Sequence, residues 1–199
     1  MPREGVSAFG SMTQGEGEAR VLLVFAHPAL ERSRANRVLA ATAENAPGVT
    51  FHDLYETYPD YVIDVEAEQK RLLAHDVIGL QFPMYWYSTP ALLKEWLDLV
   101  WLHGFAYGKG GTRLRGKRLF VACTTGGPAE AYHQRGYNRF TMDEFLRPLE
   151  QTAHLCGMEW ETPFVVHGAP LKDEAGLTMK AEFYAKRLAS LVQPSKTRA

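Results

Sequence analysis

At 199 residues and 46% hydrophobic content, the chain can close one substantial core but is short for two ordinary domains. A formal net charge of -1, with acids and bases interspersed, provides no field that would favour nucleic acid or an anionic membrane as a partner. Cys123 and Cys156 form no C-x-x-C pair and read as reduced intracellular thiols, and no run reaches the ~20 apolar residues of a membrane span, so a cytoplasmic protein is expected.

Residues 1–19 carry acids and glycines in place of a basic start and an apolar run; they read as a disordered leader, ahead of one domain over 20–193 and a flexible tail over 194–199. Val21 to Ala26 is a continuous apolar run closed by His27-Pro28, as in a strand buried on both faces. Ser33 is placed to cap a helix to Ala43, and Pro47-Gly48 stops it before a second strand, Val49 to Leu54. A polar-faced helix from Asp64 to His75 precedes a third strand, Asp76 to Phe82, stopped by Pro83. Helix Pro90 to Leu102, strand Arg118 to Thr124, helix Phe140 to Cys156, strand Glu159 to Val166 and helix Asp173 to Leu191 complete five strands and five helices.

Strict alternation requires right-handed crossovers, which lay helices on both faces of a parallel sheet. The expected fold is therefore α/β: a flavodoxin-like, doubly wound, five-stranded parallel sheet of order 2-1-3-4-5. Ligands of such sheets sit outside the carboxyl ends of the strands at the switch point, which singles out three loops: His27 to Ser33, Pro83 to Pro90 and Thr124 to Arg139.

Each loop carries a chemical signal and a plainer alternative. His27, Ser33 and Asn36 crowd donors onto a helix start, where free N–H groups and the positive dipole end favour a phosphate, although Ser33 also serves as a simple cap and His27 as a turn residue. Tyr85, Trp86 and Tyr87 offer flat apolar faces for an aromatic ligand, or a cover for the sheet end or a second subunit. Gly126-Gly127 lets backbone N–H groups approach developing negative charge, yet paired glycines also make ordinary turns.

Other signals are negative or concern assembly. Gly111 to Arg118 nearly matches a phosphate loop, but Arg118 replaces the magnesium-binding hydroxyl and the segment leads into a strand. The histidines form no zinc motif, and no G-x-S-x-G elbow follows a strand. The Ala91–Leu102 helix is apolar around most of its circumference, which predicts a second buried face and a homodimer.

Taken together, Ala26-His27-Pro28 with Ser33-x-x-Asn36, Gln81 to Tyr87, Pro90 to Asp98 and Thr124-Thr125-Gly126-Gly127 resemble the flavodoxin-like NAD(P)H:quinone oxidoreductase family over roughly Val21 to Leu188. Asp53-Leu54-Tyr55, Tyr58-Pro59-Asp60, Ala67-Glu68-Gln69 and His103 to Gly108 are similar to the bacterial ancillary proteins of glutathione-regulated potassium efflux. The resemblance implies FMN, or the larger FAD, at sites formed between the subunits of a dimer, and NAD(P)H as co-substrate. It also implies ping-pong transfer of two electrons as hydride, through flavin N5, to a quinone.

On matching positions His27, Ser33, Arg34, Ala35 and Asn36 would hold the phosphate end, Pro83, Met84, Tyr85 and Trp86 would flank the isoalloxazine, and Thr124, Thr125, Gly126 and Gly127 would bind its pyrimidine edge. Gly126 and Gly127 would stabilise the reduced ring, and Tyr132 would serve the acceptor as a proton or hydrogen-bond donor. Many relatives place a histidine where this chain has Asn138, with His133 as a displaced substitute. The second implied role is regulatory: a flavin-loaded subunit that activates a membrane potassium-efflux antiporter, held peripherally at the inner membrane through that partner. A one-electron flavodoxin would be more acidic than this chain.

Overall fold

The computed structural model describes residues 18–193. The expected leader and tail therefore lie outside the described residues, except at one end: Ala19, assigned to the leader, donates its N–H to Val192 O at 2.7 Å, so the ordered domain begins before residue 20.

β1 (Val21–Phe25) is flanked by β2 (Val49–Asp53) and β3 (Val77–Pro83), with Val21 opposite both Val49 and Val77. β3 pairs in turn with β4 (Arg118–Thr124), and every contact is parallel, giving the order 2-1-3-4-5. All residues of β1, β3 and β4 are buried, as befits strands covered on both faces. The pleat sends alternate residues to opposite cores. Leu22 and Val24 face α3 (Val65–Leu73), α4 (Ala91–Val100) and α5 (Met142–Leu155), whereas Val21 and Leu23 face α1 (Arg34–Glu44) and α6 (Glu174–Val192).

Two departures from the expected elements have local causes. The fifth strand is broken into β5 (Glu159–Trp160) and β6 (Phe164–Val166), both paired with β4, because Pro163 has no N–H to donate. A sixth helix, the single turn α2 (Leu54–Thr57), replaces the expected end of β2. Asp53 starts it by accepting from Tyr55 N at 2.9 Å and Glu56 N at 3.3 Å, the bonds of an N-cap.

Glu68 of α3 is fully buried against β2 and α4. Its Oε1 accepts from the Tyr58 hydroxyl at 2.8 Å with His52 Nε2 at 3.0 Å, and its Oε2 accepts from Trp96 Nε1 at 2.8 Å. Burial alone would raise its pKa, but His52, Trp96 and Tyr58 outweigh that and hold it below the usual carboxylate range. Burial also pushes the Cys123 thiol up to about 12, which leaves it protonated and unreactive. Among the described residues no helix is long and apolar enough to cross a membrane.

Candidate functional site

The order reverses between β1 and β3, and a cleft of about 660 Å3 opens outside the carboxyl ends of the strands there. All three marked loops reach it. Its wall takes His27, Ser33, Arg34, Ala35 and Asn36 from the first loop and helix start, Pro83, Met84 and Tyr85 from the second, and Thr124, Thr125 and Gly126 from the third. Ala29, Arg32, Ala169 and Pro170 also line it. The last two come from the turn after β6, which no motif marks; the rule that picked the other loops, carboxyl ends of strands, would have found it if applied to the last strand.

The start of α1 turns several donors toward the cleft. Ser33 Oγ accepts from Asn36 N at 3.3 Å, and the N–H groups of Arg34 and Ala35 precede the first intrahelical bond, Arg37 N to Ser33 O. Arg32 and Arg34 are exposed beside them. Asn36 is 3% exposed and acts as a brace: its Nδ2 donates to Ser33 Oγ at 2.9 Å and to Thr124 Oγ1 at 3.0 Å. Ser33 is thus both the cap and part of the wall.

His27 is buried, and its Nδ1 accepts from Ala29 N at 3.1 Å. The ring proton of the neutral imidazole therefore sits on Nε2, as a donor. Desolvation lowers the His27 pKa against the opposing pull of Glu31, so the neutral form prevails at pH 7.

The aromatic loop is a two-residue hairpin in which Tyr85 and Ser88 exchange backbone bonds at 3.0 Å each. Trp86 (φ 48°) and Tyr87 (φ 63°) both occupy left-handed conformations that such turns usually give to Gly or Asn. Backbone of this kind costs about 1–3 kcal/mol per residue and persists where the surroundings enforce it. Tyr87 is fixed by stacking on Phe145 at 4.9 Å and by donating to Asn138 Oδ1 at 3.1 Å. Trp86 is left 93% exposed, outside the cleft wall.

Gly126 and Gly127 differ. A Cβ on Gly126 would meet nothing within 4 Å, whereas one on Gly127 would overlap the Tyr137 hydroxyl and crowd Tyr132. The space at Gly127 is filled by the protein itself; the space at Gly126 is open toward the cleft. Tyr132 stands outside the wall, next to Gly127. His133 is exposed, with Nδ1 accepting from Arg135 N, and Asn138 is buried as the anchor of Tyr87. The imidazole against Tyr132 is that of His167, not of His133.

Gly111 to Arg118 runs into β4 as expected of a turn, with Arg118 Nη1 donating to Glu161 Oε1 at 3.1 Å.

The chain belongs to the flavodoxin-like NAD(P)H:quinone oxidoreductase family, and the family model for the flavodoxin-like fold matches residues 19–188. Within that class it is similar to the glutathione-regulated potassium-efflux system ancillary protein KefG of Cronobacter sakazakii, at 47% identity over 88% of this chain and 96% of that one. Among solved structures it is similar to general stress protein 14 of Treponema denticola in complex with FMN: 36% identity, TM-score 0.81, 86% of this chain and 99% of that one. It is likewise similar to an NADPH-quinone reductase of P. pentosaceus, at 34% identity and TM-score 0.77 over 85% and 97% of the two chains.

Proposed function

We propose that this chain is an FMN-dependent NAD(P)H:quinone oxidoreductase that works by two-electron, ping-pong transfer. The observation that carries the reading is the meeting of the three loops in one cleft at the switch point. The residues fit the cofactor. The free N–H groups of α1, Ser33 and the Nε2–H of His27 suit a phosphate monoester, and the open face at Gly126 leaves room for a flat ring where a side chain would stand.

When bound, the flavin supplies the hydride chemistry between nicotinamide and acceptor. The protein positions and polarises. Arg34 and Ala35 backbone N–H groups would hold the tail, Pro83 to Tyr85 would flank the ring, and Thr124 to Gly126 would present main chain to its polar edge. Tyr132 donates a proton or hydrogen bond to the quinone oxygen.

The catalytic unit of this reading is a homodimer. Leu99 and Leu102 stay 38% and 45% exposed at the end of α4, and Leu155 at the end of α5 is 60% exposed. A second cavity of about 380 Å3 between those helices shares Met84 with the cleft, which supports an interface next to the flavin.

A regulatory role is favoured by the likeness to KefG along nearly the whole chain. In that reading the flavin-loaded protein binds a membrane potassium-efflux antiporter from the cytoplasmic side. Steady-state kinetics separate the two. Parallel double-reciprocal lines for NADPH and a benzoquinone support the enzyme, and absence of turnover contradicts it. Stimulation of potassium efflux by a Tyr132→Phe variant without turnover supports regulation.

A further inference from the structure

The turn after β6 is tied to the turn after β4 by three main-chain bonds: Thr125 N to Val166 O at 3.0 Å, Gly168 N to Gly127 O at 2.8 Å and Ala169 N to Thr125 O at 2.9 Å. Gly168 makes the reversal in a left-handed conformation (φ 58°), and His167 is thereby set against the β4 turn. Its Nδ1 lies 3.2 Å from Thr125 Oγ1, whose own proton goes to Gly127 O at 2.8 Å. A hydroxyl has one proton to give, so Nδ1 carries the ring hydrogen and Nε2 keeps its lone pair.

The other face of this arrangement is Tyr132. The His167 and Tyr132 ring centroids are 5.1 Å apart at 39°, and Phe145 meets Tyr132 edge-on at 6.1 Å. The phenol is held between an imidazole and a benzene ring, with its hydroxyl 3.4 Å from where a Gly127 Cβ would be, one residue from the cleft wall.

We propose that His167 is the positioning residue for Tyr132, backing the phenol ring so that its hydroxyl stands at the Gly126–Gly127 edge of the cleft and can protonate a bound acceptor. The inference rests on the quinone-reductase reading and adds a residue to it. Reduction of a quinone carbonyl takes a hydride and a proton. The Tyr132 O–H bond breaks as the acceptor O–H bond forms, and the phenolate regains a proton from water. His167 supplies neither electrons nor a bond to the acceptor; it acts through the place and charge of its ring.

Charge makes the role measurable. Burial lowers the His167 pKa from 6.5, Lys180 and Lys172 push the same way, and Glu130 opposes them; Asp173 also faces this side. The ring is neutral at pH 7 and becomes a cation in mild acid, which sets a positive charge against the face of the phenol.

Two variants separate shape from charge. His167→Asn keeps an N–H for Thr125 but removes the ring; His167→Phe keeps a ring and removes the titration. With 13C-labelled tyrosine in the flavin-free protein, the Tyr132 Cζ resonance should titrate with a midpoint below 6.5 in the parent and in neither variant. With FMN bound, His167→Asn should lower kcat for quinone roughly 10-fold, part of the ~10²–10⁴ that a general acid supplies, and leave kcat/KM for NADPH unchanged, as ping-pong transfer requires of a defect in the quinone half-reaction alone. His167→Phe should recover most of that loss without the acid inflexion of kcat. A Tyr132 resonance insensitive to pH in the parent, or parental kcat in His167→Asn, overturns the proposal. Failure to bind FMN would instead overturn the quinone-reductase reading, and the Tyr132 resonance would still decide whether the two rings are coupled.

Discussion

Asn36 Nδ2 donates to Thr124 Oγ1 across 3.0 Å, joining residues 88 positions apart: the first turn of α1 and the end of β4. The bond is buried, and it locks the start of α1 to the turn that presents Gly126. Asn36→Ala leaves the Thr124 hydroxyl without its donor and should cost about 1–3 kcal/mol in urea denaturation. FMN affinity should fall with it, since two walls of the cleft lose their brace. Unchanged stability would show that the amide does not carry the join.

The two glycines of the β4 turn should respond in opposite ways. Gly126→Ala meets no atom within 4 Å, so its thermal midpoint should match or slightly exceed the parent's, while FMN binding weakens. Gly127→Ala must displace Tyr137, whose side chain is 71% exposed and can swing aside, and should cost about 1 kcal/mol. Fluorescence titration with FMN beside a melting curve distinguishes them. A Gly126→Ala protein that binds FMN as the parent does would remove that residue from the site.

Stability should fall in acid in two stages. Burial places the pKa of His27, His75 and His167 below 6.5 in the folded chain, so as pH falls through 6.5 the unfolded chain takes up protons first and gains. Glu68 is held below 4.5 when folded; its contribution is present above 4.5 and is lost as pH falls toward the folded value. Urea midpoints should be level above about pH 7.5, lower at about pH 5.5 and lower again near pH 4. A maximum near pH 5.5 would contradict this assignment.

Glu68→Ala should be among the most damaging single changes outside the cleft. It strips the Tyr58 hydroxyl and Trp96 indole N–H of their acceptor and His52 of the carboxylate 3.0 Å from its Nε2, a loss of about 3–5 kcal/mol for the charged member of a buried network. Glu68→Gln retains an acceptor and should cost less. The comparison needs only denaturation curves, and equal midpoints for parent and Glu68→Ala would sink it.

Much of the fold was legible because periodicity and stop signals are local. Val21 to Ala26 and Asp76 to Phe82 read as doubly buried strands from continuous apolar runs, and their alternation with helices predicts the sheet order. The missed turn at Leu54–Thr57 depends on whether Asp53 ends a strand or caps a helix, which its own side-chain bonds decide. The split at Pro163 was readable in principle, since proline cannot donate in a sheet interior. The left-handed Trp86 and Tyr87, the filled space at Gly127 and the pairing of His167 with Tyr132 depend on contacts distant in sequence, and no spacing rule reaches them.

The absorption spectrum of the FMN-reconstituted protein, recorded after desalting and then during anaerobic addition of NADPH followed by a benzoquinone, bears most directly on the cleft as a flavin site that passes two electrons. Retained yellow colour, bleached by NADPH and restored by the quinone, is the expected result. FMN lost on desalting, or retained FMN that NADPH leaves oxidised, would contradict it.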